Sequence, residues 1–299
     1  MYKCLFKEDI MHIGIDIGGT HFSIGLLDNK YNVIRKKYVK IEENDTPEFN
    51  MTRLIASIKE FMEATTIEDI GVGLPCPCDA KDGRYQINKS AWKNMDVIEK
   101  IKSETNLPVY YDNDAKCAVI GSLENSYFKD IDFAIYITIG TGIGTCIIQD
   151  RNVNSFEGLG HKVIVGNGRK CSCGQKGCFE TYTSLKALRD TLKEKGYDTQ
   201  DLKKIFESKD EKVSEIVDEW LECLATGIVT VAAEKNIYDI IIGGGGSELY
   251  LFYQARLNEK IQKLMKGKAK KVKIWVTPLL NDAGFVGAAM LGKKEKENE

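Results

Sequence analysis

Two periods of apolar spacing alternate along the chain. Short runs rich in isoleucine and valine mark strands, and apolar residues three and four apart mark helices. "HIGIDIGG", at 12–19, reads as a buried strand ending in a glycine turn, "FSIGLLD" as its hairpin partner, and "VIRKKYVKI" as a third, more exposed strand. In "TPEFNMTRLIASIKEFMEAT", Thr46 caps a helix, Pro47 stands in its first turn, and Leu54, Ile58, Phe61 and Met62 share a face. "DIGVGLP" is the next strand, "MDVIEKIKSETN" a helix, "LPVYY" a strand and "DAKCAVIGSLEN" a helix.

The pattern then restarts. "DFAIYITIG" and "GTCIIQD" again read as strand, glycine turn and strand. Helical periodicity runs from Thr183 to about Asn236. "YDIIIGGGG" is a strand entering a glycine turn before a helix from about Ser247, "KVKIWVTP" a strand, "AGFVGAAML" a small-residue helix, and "KKEKENE" a frayed tail. "IDIGGTHFSIGLLD" and "ITIGTGIGTCIIQD" align without gaps and agree at their first, third, fourth and last positions. Two similar α/β lobes with a cleft between them follow from that restart.

Length and composition narrow the class without changing this picture. The 299 residues suit one large or two medium domains, and 43% hydrophobic with 29% charged residues is ordinary for a globular chain. A net charge of −2 gives no basic excess for nucleic acid. The opening "MYKCLFKEDI" has no apolar core of a signal peptide, and no run reaches the length of a membrane span. A cytoplasmic protein is expected, where cysteines stay reduced and a tight cluster of them points to a metal site.

Three glycine turns each end a strand. In "DIGGT", Gly18 and Gly19 allow backbone N–H groups to approach an anion, Thr20 adds a hydroxyl, and Asp16 is placed to hold the water shell of Mg²⁺. Taken alone, the glycine pair reads first as a plain hairpin turn. "IGTGIGT" is a second such loop; the strand after it disfavours a dinucleotide fingerprint. "GGGGS" precedes a helix, and its glycines would let a flat group such as adenine lie against the main chain. Together the turns fit a nucleotide spread across a cleft. In "YYDNDAKCA", one of Asp112, Asn113 or Asp114 caps the helix, or takes a proton from a substrate hydroxyl.

Three cysteines, Cys171, Cys173 and Cys178, fall close together with Gly174 and Gly177 between them. The glycines let the chain curl so that thiolates converge on one ion, and His161 is the candidate fourth ligand because His12 and His21 lie in or beside a strand elsewhere. Three Cys and one His form a closed, structural zinc set with no open position for water.

Together these motifs resemble the ROK family (repressors, open reading frames and kinases), sugar kinases of the hexokinase and actin superfamily. "CSCGQKGCFE" has the family form C-x-C-G-x-x-G-C-x-E, and "GIDIGGTHFSIGLLD", "DNDAKCA", "YITIGTGIGT" and "NDAGFVGAAM" follow in the expected order. The resemblance implies an α/β fold of two actin-like (ribonuclease H-like) lobes: 1–115 with 281–299 as the small lobe, and 116–280 as the large lobe with the zinc loop. It implies a hexose kinase using ATP and Mg²⁺, with Zn²⁺ structural, acting on O6 of glucose or a related hexose. By the same resemblance Asp114 is the catalytic base. Asp16, Gly18, Gly19 and Thr20 form the first phosphate loop, Thr141 and Gly142 the second, and Gly244 and Gly245 the adenosine segment. Asn88, Asn113, His161 and Glu180 are sugar contacts.

One departure stands out. The family pattern G-E-x-G-H is here Glu157, Gly158, Leu159, Gly160, His161, so either Glu157 reaches the sugar from a shifted loop or that contact is lost. Kinases for N-acetylmannosamine, N-acetylglucosamine or allose, and a sugar sensor or ROK regulator without turnover, are the alternatives. Only fifteen residues precede Asp16, which argues against a DNA-binding module. The family implies a homodimer or homotetramer. Cys76 and Cys78 in "LPCPCD" are read as packing residues.

Overall fold

The computed structural model describes residues 10–63, 65–75, 90–124, 128, 130–150, 152–155 and 158–298. In chain order the elements are β1 (Met11–Ile17), β2 (His21–Leu27), β3 (Val33–Lys40), α1 (Pro47–Met62), β4 (Ile67–Leu74), α2 (Val97–Thr105), β5 (Val109–Asn113) and α3 (Asp114–Leu123). There follow β6 (Phe133–Ile139), β7 (Ile143–Gln149), β8 (Asn152–Ser155), α4 (Glu180–Thr183), α5 (Leu185–Glu194), α6 (Leu202–Phe206) and α7 (Glu211–Lys235). The last are β9 (Asp239–Gly243), α8 (Gly245–Leu264), β10 (Lys273–Val276), α9 (Ala283–Ala289) and α10 (Leu291–Asn298). No helix among the described residues is long and apolar enough to cross a membrane.

The chain divides into two compact units, Met1–Asn125 with Asp282–Glu299, and Ser126–Asn281. Helix α3 lies whole in the first unit, so the chain leaves that unit after it and not at 115/116. Each unit holds a five-stranded sheet, ordered β3-β2-β1-β4-β5 in the first and β10-β9-β6-β7-β8 in the second. In both, the opening strand pairs antiparallel with the next and parallel with a later one. The restart in the sequence is therefore a repeated topology. Strands β6 and β7 stand at the same spacing as β1 and β2, but their pairing is shifted by one residue. Ile15 faces Ile24, whereas Ile137 faces Thr145. The first hairpin spends one more residue in its turn, closed by Gly18 N–H donating to the His21 carbonyl at 2.9 Å.

In the first unit, Ile13, Ile15, Ile70 and Val72 from the sheet pack with Leu54, Ile58 and Phe61 of α1 in one buried core. Thr46 caps α1 by accepting the Phe49 N–H at 3.2 Å, as its position before Pro47 predicts. On α9, small residues serve close approach. A Cβ on Gly14 of β1 would stand 1.8 Å from the Phe285 carbonyl oxygen, and one on Gly287 would stand 1.7 Å from that of Cys117 in α3. The helix thus lies backbone-to-backbone on β1 and α3, at the strand end that carries the first glycine turn.

Two readings of the sequence need correction. The tail 293–298 is helical, not frayed, because its charges have partners elsewhere in the first unit: Lys296 meets Glu68 at 2.7 Å and Lys294 meets Glu124 at 3.8 Å. The strand β8 has no counterpart in the sequence reading. It is four residues long with a single apolar side chain, too short to show an alternating pattern.

In the second unit, Ile135, Ile137, Ile240 and Ile242 of the sheet pack against Leu221, Leu224 and Ile228 of α7 and Tyr253 and Leu257 of α8. Phe179 is fully buried, and a Cβ on Gly227 of α7 would collide with its ring at 2.1 Å. That glycine makes room for the aromatic residue which follows the last cysteine of the cluster, and so seats the whole loop on the core.

Candidate active site

In the first unit the candidate residues gather at the carboxyl end of β1 and the start of α3. Asn113 caps α3, its Oδ1 accepting from Ala115 N–H at 2.9 Å and from Lys116 N–H at 3.2 Å. Capping therefore falls to Asn113, and Asp114 is the first helical residue, where the helix dipole favours a carboxylate. Asp114 Oδ1 also accepts the Ala115 N–H, at 2.8 Å. Asp112 Oδ1 accepts the Asn113 N–H at 2.7 Å and lies 3.5 Å from Lys116 Nζ.

Asp16 sits late in β1, paired with Ser23 on one side and Gly73 on the other. Its carboxylate lies against α9, where a Cβ on Gly284 would stand 2.6 Å from Oδ2. Burial, and secondly the charge of Asp114, push its carboxyl up to about 8. A divalent cation near Asp16 would favour its ionised form, and a carboxylate is the ligand type that Mg²⁺ prefers.

The turn between β1 and β2 is held from outside. Trp92, fully buried and edge-on to Phe22 at 5.9 Å, donates its Nε1–H to the Gly18 carbonyl at 3.0 Å. Sequence reading passed over this tryptophan, since nothing local distinguishes it from an ordinary core aromatic. Thr20 Oγ1 lies 3.3 Å from His21 Nδ1, and its backbone carbonyl accepts the Ile41 N–H at 2.9 Å.

In the second unit the cysteine loop folds as its glycines suggest. Gly174 and Gly177 have φ of 90° and 82°, a region that side chains resist. A Cβ on Gly177 would meet the Val165 carbonyl oxygen at 1.7 Å. Short antiparallel bridges join Val163 to Cys178 and Lys170 to Lys176. Arg169 braces the outside, lying over the Tyr182 ring at 4.8 Å and donating to the Thr181 carbonyl at 3.0 Å.

Ligand atoms of His161, Cys171, Cys173 and Cys178 all lie within 4.8 Å of one another. His161 Nδ1 stands 3.4 Å from Cys171 Sγ, and Cys173 Sγ stands 3.6 Å from Cys178 Sγ. A tetrahedral zinc with sulfur at ~2.3 Å and nitrogen at ~2.05 Å requires separations of about 3.6 Å and 3.8 Å, so the four residues fit that ion. Among the described residues it is the one cluster of this kind. His12 is instead engaged with Asp69 at 2.8 Å and stacked on Tyr31. Burial pushes the Cys178 thiol up to about 12, while the backbone at Gln175 holds Cys173 below its usual value.

Two residues beyond Cys178, Glu180 begins α4 and turns its carboxylate onto the second glycine turn. Ile143 N–H donates to Glu180 Oε2 at 2.9 Å. Gly140 N–H closes that turn on the Gly142 carbonyl at 3.0 Å, with Thr141 at its tip. Gly158 lies in the left-handed region, with φ of 57°, and starts a single tight turn through Leu159 and Gly160 to His161. Leu159 N–H donates to Thr145 Oγ1 at 2.9 Å, which ties that turn to β7.

The third glycine run is partly explained by packing. A Cβ on Gly243 would meet the Tyr136 hydroxyl at 2.1 Å, and one on Gly246 would meet Ile139 Cβ at 2.6 Å. Gly244 has φ of 66°, a region that side chains resist, and a Cβ on Gly245 would stand 2.9 Å from Leu185 Cδ1. Asn88 and Glu157, and likewise Cys76 and Cys78, lie outside the described residues.

The ROK family model matches residues 12–295. The chain is 28% identical over 309 residues to a glucokinase of Thermotoga maritima, covering 94% of this chain and 97% of that protein. It is 35% identical over 202 residues to the xylose repressor of Bacillus subtilis, covering 64% of this chain and 52% of the repressor, about half its length. A solved ROK family glucokinase from Streptomyces griseus, in complex with glucose and AMPPNP, matches with a TM-score of 0.81 at 25% identity, over 95% of this chain and 99% of that one.

Proposed function

The chain belongs to the ROK family, and on that premise we propose that it is an ATP-dependent hexose kinase acting on O6 of glucose or a related hexose. The observation that carries the proposal is the division of labour at the start of α3. Asn113 is the N-cap, and Asp114 follows as the first helical residue, its Oδ1 also accepting the Ala115 N–H, so a carboxylate is held at the helix start where the dipole favours it.

In this reading Asp114 accepts the proton of the attacking hydroxyl as its oxygen bonds to phosphorus. Mg²⁺ with ATP neutralises phosphate charge, and Asp16 orients its water shell. Gly18, Gly19 and Thr20 in the first unit, and Thr141 and Gly142 in the second, offer N–H and hydroxyl groups to phosphate oxygens. Gly244 and Gly245 lie under the adenosine. Asn88, Asn113, Glu157, His161 and Glu180 contact the sugar, and His161, Cys171, Cys173 and Cys178 hold a structural zinc. Support for the sugar role of His161 is that Nδ1 faces the cysteine, which leaves the other ring nitrogen for a hydroxyl. A cytoplasmic location, where thiols stay reduced, and a homodimer or homotetramer belong to the same proposal.

Replacing Asp114 by Asn tests it. The variant is expected to lose phosphoryl transfer by at least about a thousandfold while binding sugar as the wild type does in calorimetry. Near-wild-type turnover removes the mechanism.

A second reading is a sugar-binding regulator without turnover. It is favoured by Gly158, which stands where the family pattern has a glutamate, and by the similarity to a xylose repressor. Kinases of N-acetylmannosamine, N-acetylglucosamine or allose are variants of the first reading. Sugar binding with no release of ADP separates the regulator from all of them.

A further inference from the structure

We propose that Glu180 is a positioning residue for the nucleotide's phosphates, holding the second glycine turn in shape, in addition to any contact it makes with sugar. The proposal rests on the kinase reading above, because it assumes that the turn at 140–142 meets phosphate.

Two observations place the carboxylate on the turn. Glu180 Oε2 accepts the Ile143 N–H at 2.9 Å. A Cβ on Gly142 would stand 2.4 Å from the same oxygen, so residue 142 is glycine to admit this carboxylate. The other end of the turn is held from the same segment, Leu185 N–H donating to the Gly140 carbonyl at 2.8 Å. A turn with glycine at 140 and 142 has much backbone freedom to lose, and donors must be fixed before they can stabilise a transferring phosphoryl group.

The support behind Glu180 is stiff. Phe179 is buried in the core of the second unit, and its N–H donates to the Lys162 carbonyl at 2.7 Å. Thr181 N–H and its hydroxyl both donate to the Cys178 carbonyl, at 3.0 and 2.7 Å. The metal cluster, α4 and the glycine turn are thus joined through six consecutive residues, 178–183. The negative charge itself works against phosphate. Glu180 therefore acts here through its acceptor geometry, and this separates its role at the turn from one as a charged sugar ligand.

The test is calorimetric binding of a nonhydrolysable ATP analogue with Mg²⁺ to the full, metal-loaded chain in the absence of sugar. Glu180→Ala is expected to weaken binding about tenfold, as loss of a charge-assisted hydrogen bond does. Glu180→Gln retains an acceptor for the Ile143 N–H and is expected to bind at least as tightly as the wild type, although its KM for sugar rises. Gly142→Ala, which drives a methyl group into Oε2, is expected to weaken binding as Glu180→Ala does. Zinc content and melting temperature report whether each variant is folded. If Glu180→Ala does not fold, Gly142→Ala and Glu180→Gln decide by the same comparison.

Wild-type affinity in Glu180→Ala or Gly142→Ala overturns the proposal, as does a tenfold loss in Glu180→Gln. A wild-type chain that binds the analogue leaves the kinase reading standing in each of those cases. A wild-type chain that binds no nucleotide overturns both.

Discussion

Asp16 shows at the scale of one residue how burial strains a carboxyl. Its carboxyl is pushed up to about 8 by burial and then by Asp114. A carboxyl raised in the folded state favours folding most below its unfolded value of 3.8, and that advantage is lost as pH rises through about 8. Between those limits the loss is ~1.4 kcal/mol per pH unit. Asp16→Asn removes the titration. Without Mg²⁺ and nucleotide, the variant's melting temperature should gain on the wild type as pH rises from about 5 to about 8, and the gap should then level off. A pH-independent difference would contradict the strained carboxyl. Asp16 and Asp114 were visible in the sequence as acids beside a glycine turn and a helix start, though not that they feel each other's charge. The Asn113 cap was left among three candidates, because only the backbone angles decide which residue precedes the helix. Trp92 was invisible, since its partner, the Gly18 carbonyl, is distant in sequence.

At the scale of elements, the cysteine loop was the most legible part of the chain. Its ligand types, its glycines and its spacing each follow from the chemistry of one tetrahedral ion, and the four ligand atoms do converge. About one zinc per chain is expected by metal analysis. Its removal by a chelator should lower the melting temperature, with Cys173→Ser giving the same loss. Protein prepared without chelator and free of metal would contradict the site. Strands with dense isoleucine and helices with clear caps were equally legible. The shifted register of β6 and β7 was not, because it depends on how many residues the turn uses, and the two glycine turns have the same number of residues between their flanking strands. The α10 helix escaped for a related reason. Its charges look like those of a solvated tail until Glu68 and Glu124 are seen opposite Lys296 and Lys294.

For the whole molecule, the repeated hairpin was the decisive clue. Four matching positions in fourteen are weak as identity, yet they mark the two strands that open each five-stranded sheet. Repetition of topology is retained by packing long after side chains diverge, which is why the order of strands agrees while the register has moved. Family membership rests on a match over residues 12–295. Within the family, kinases and repressors share this scaffold, so activity is decided by a few residues and not by the fold. A coupled assay of ADP release tests the central claim most directly. Glucose, N-acetylmannosamine, N-acetylglucosamine, allose, fructose and β-glucosides would each be offered with ATP and Mg²⁺. The account predicts sugar-dependent ADP release with glucose or a related hexose, abolished in Asp114→Asn. Sugar binding without ADP release from any of them would contradict it and leave the regulator reading in its place.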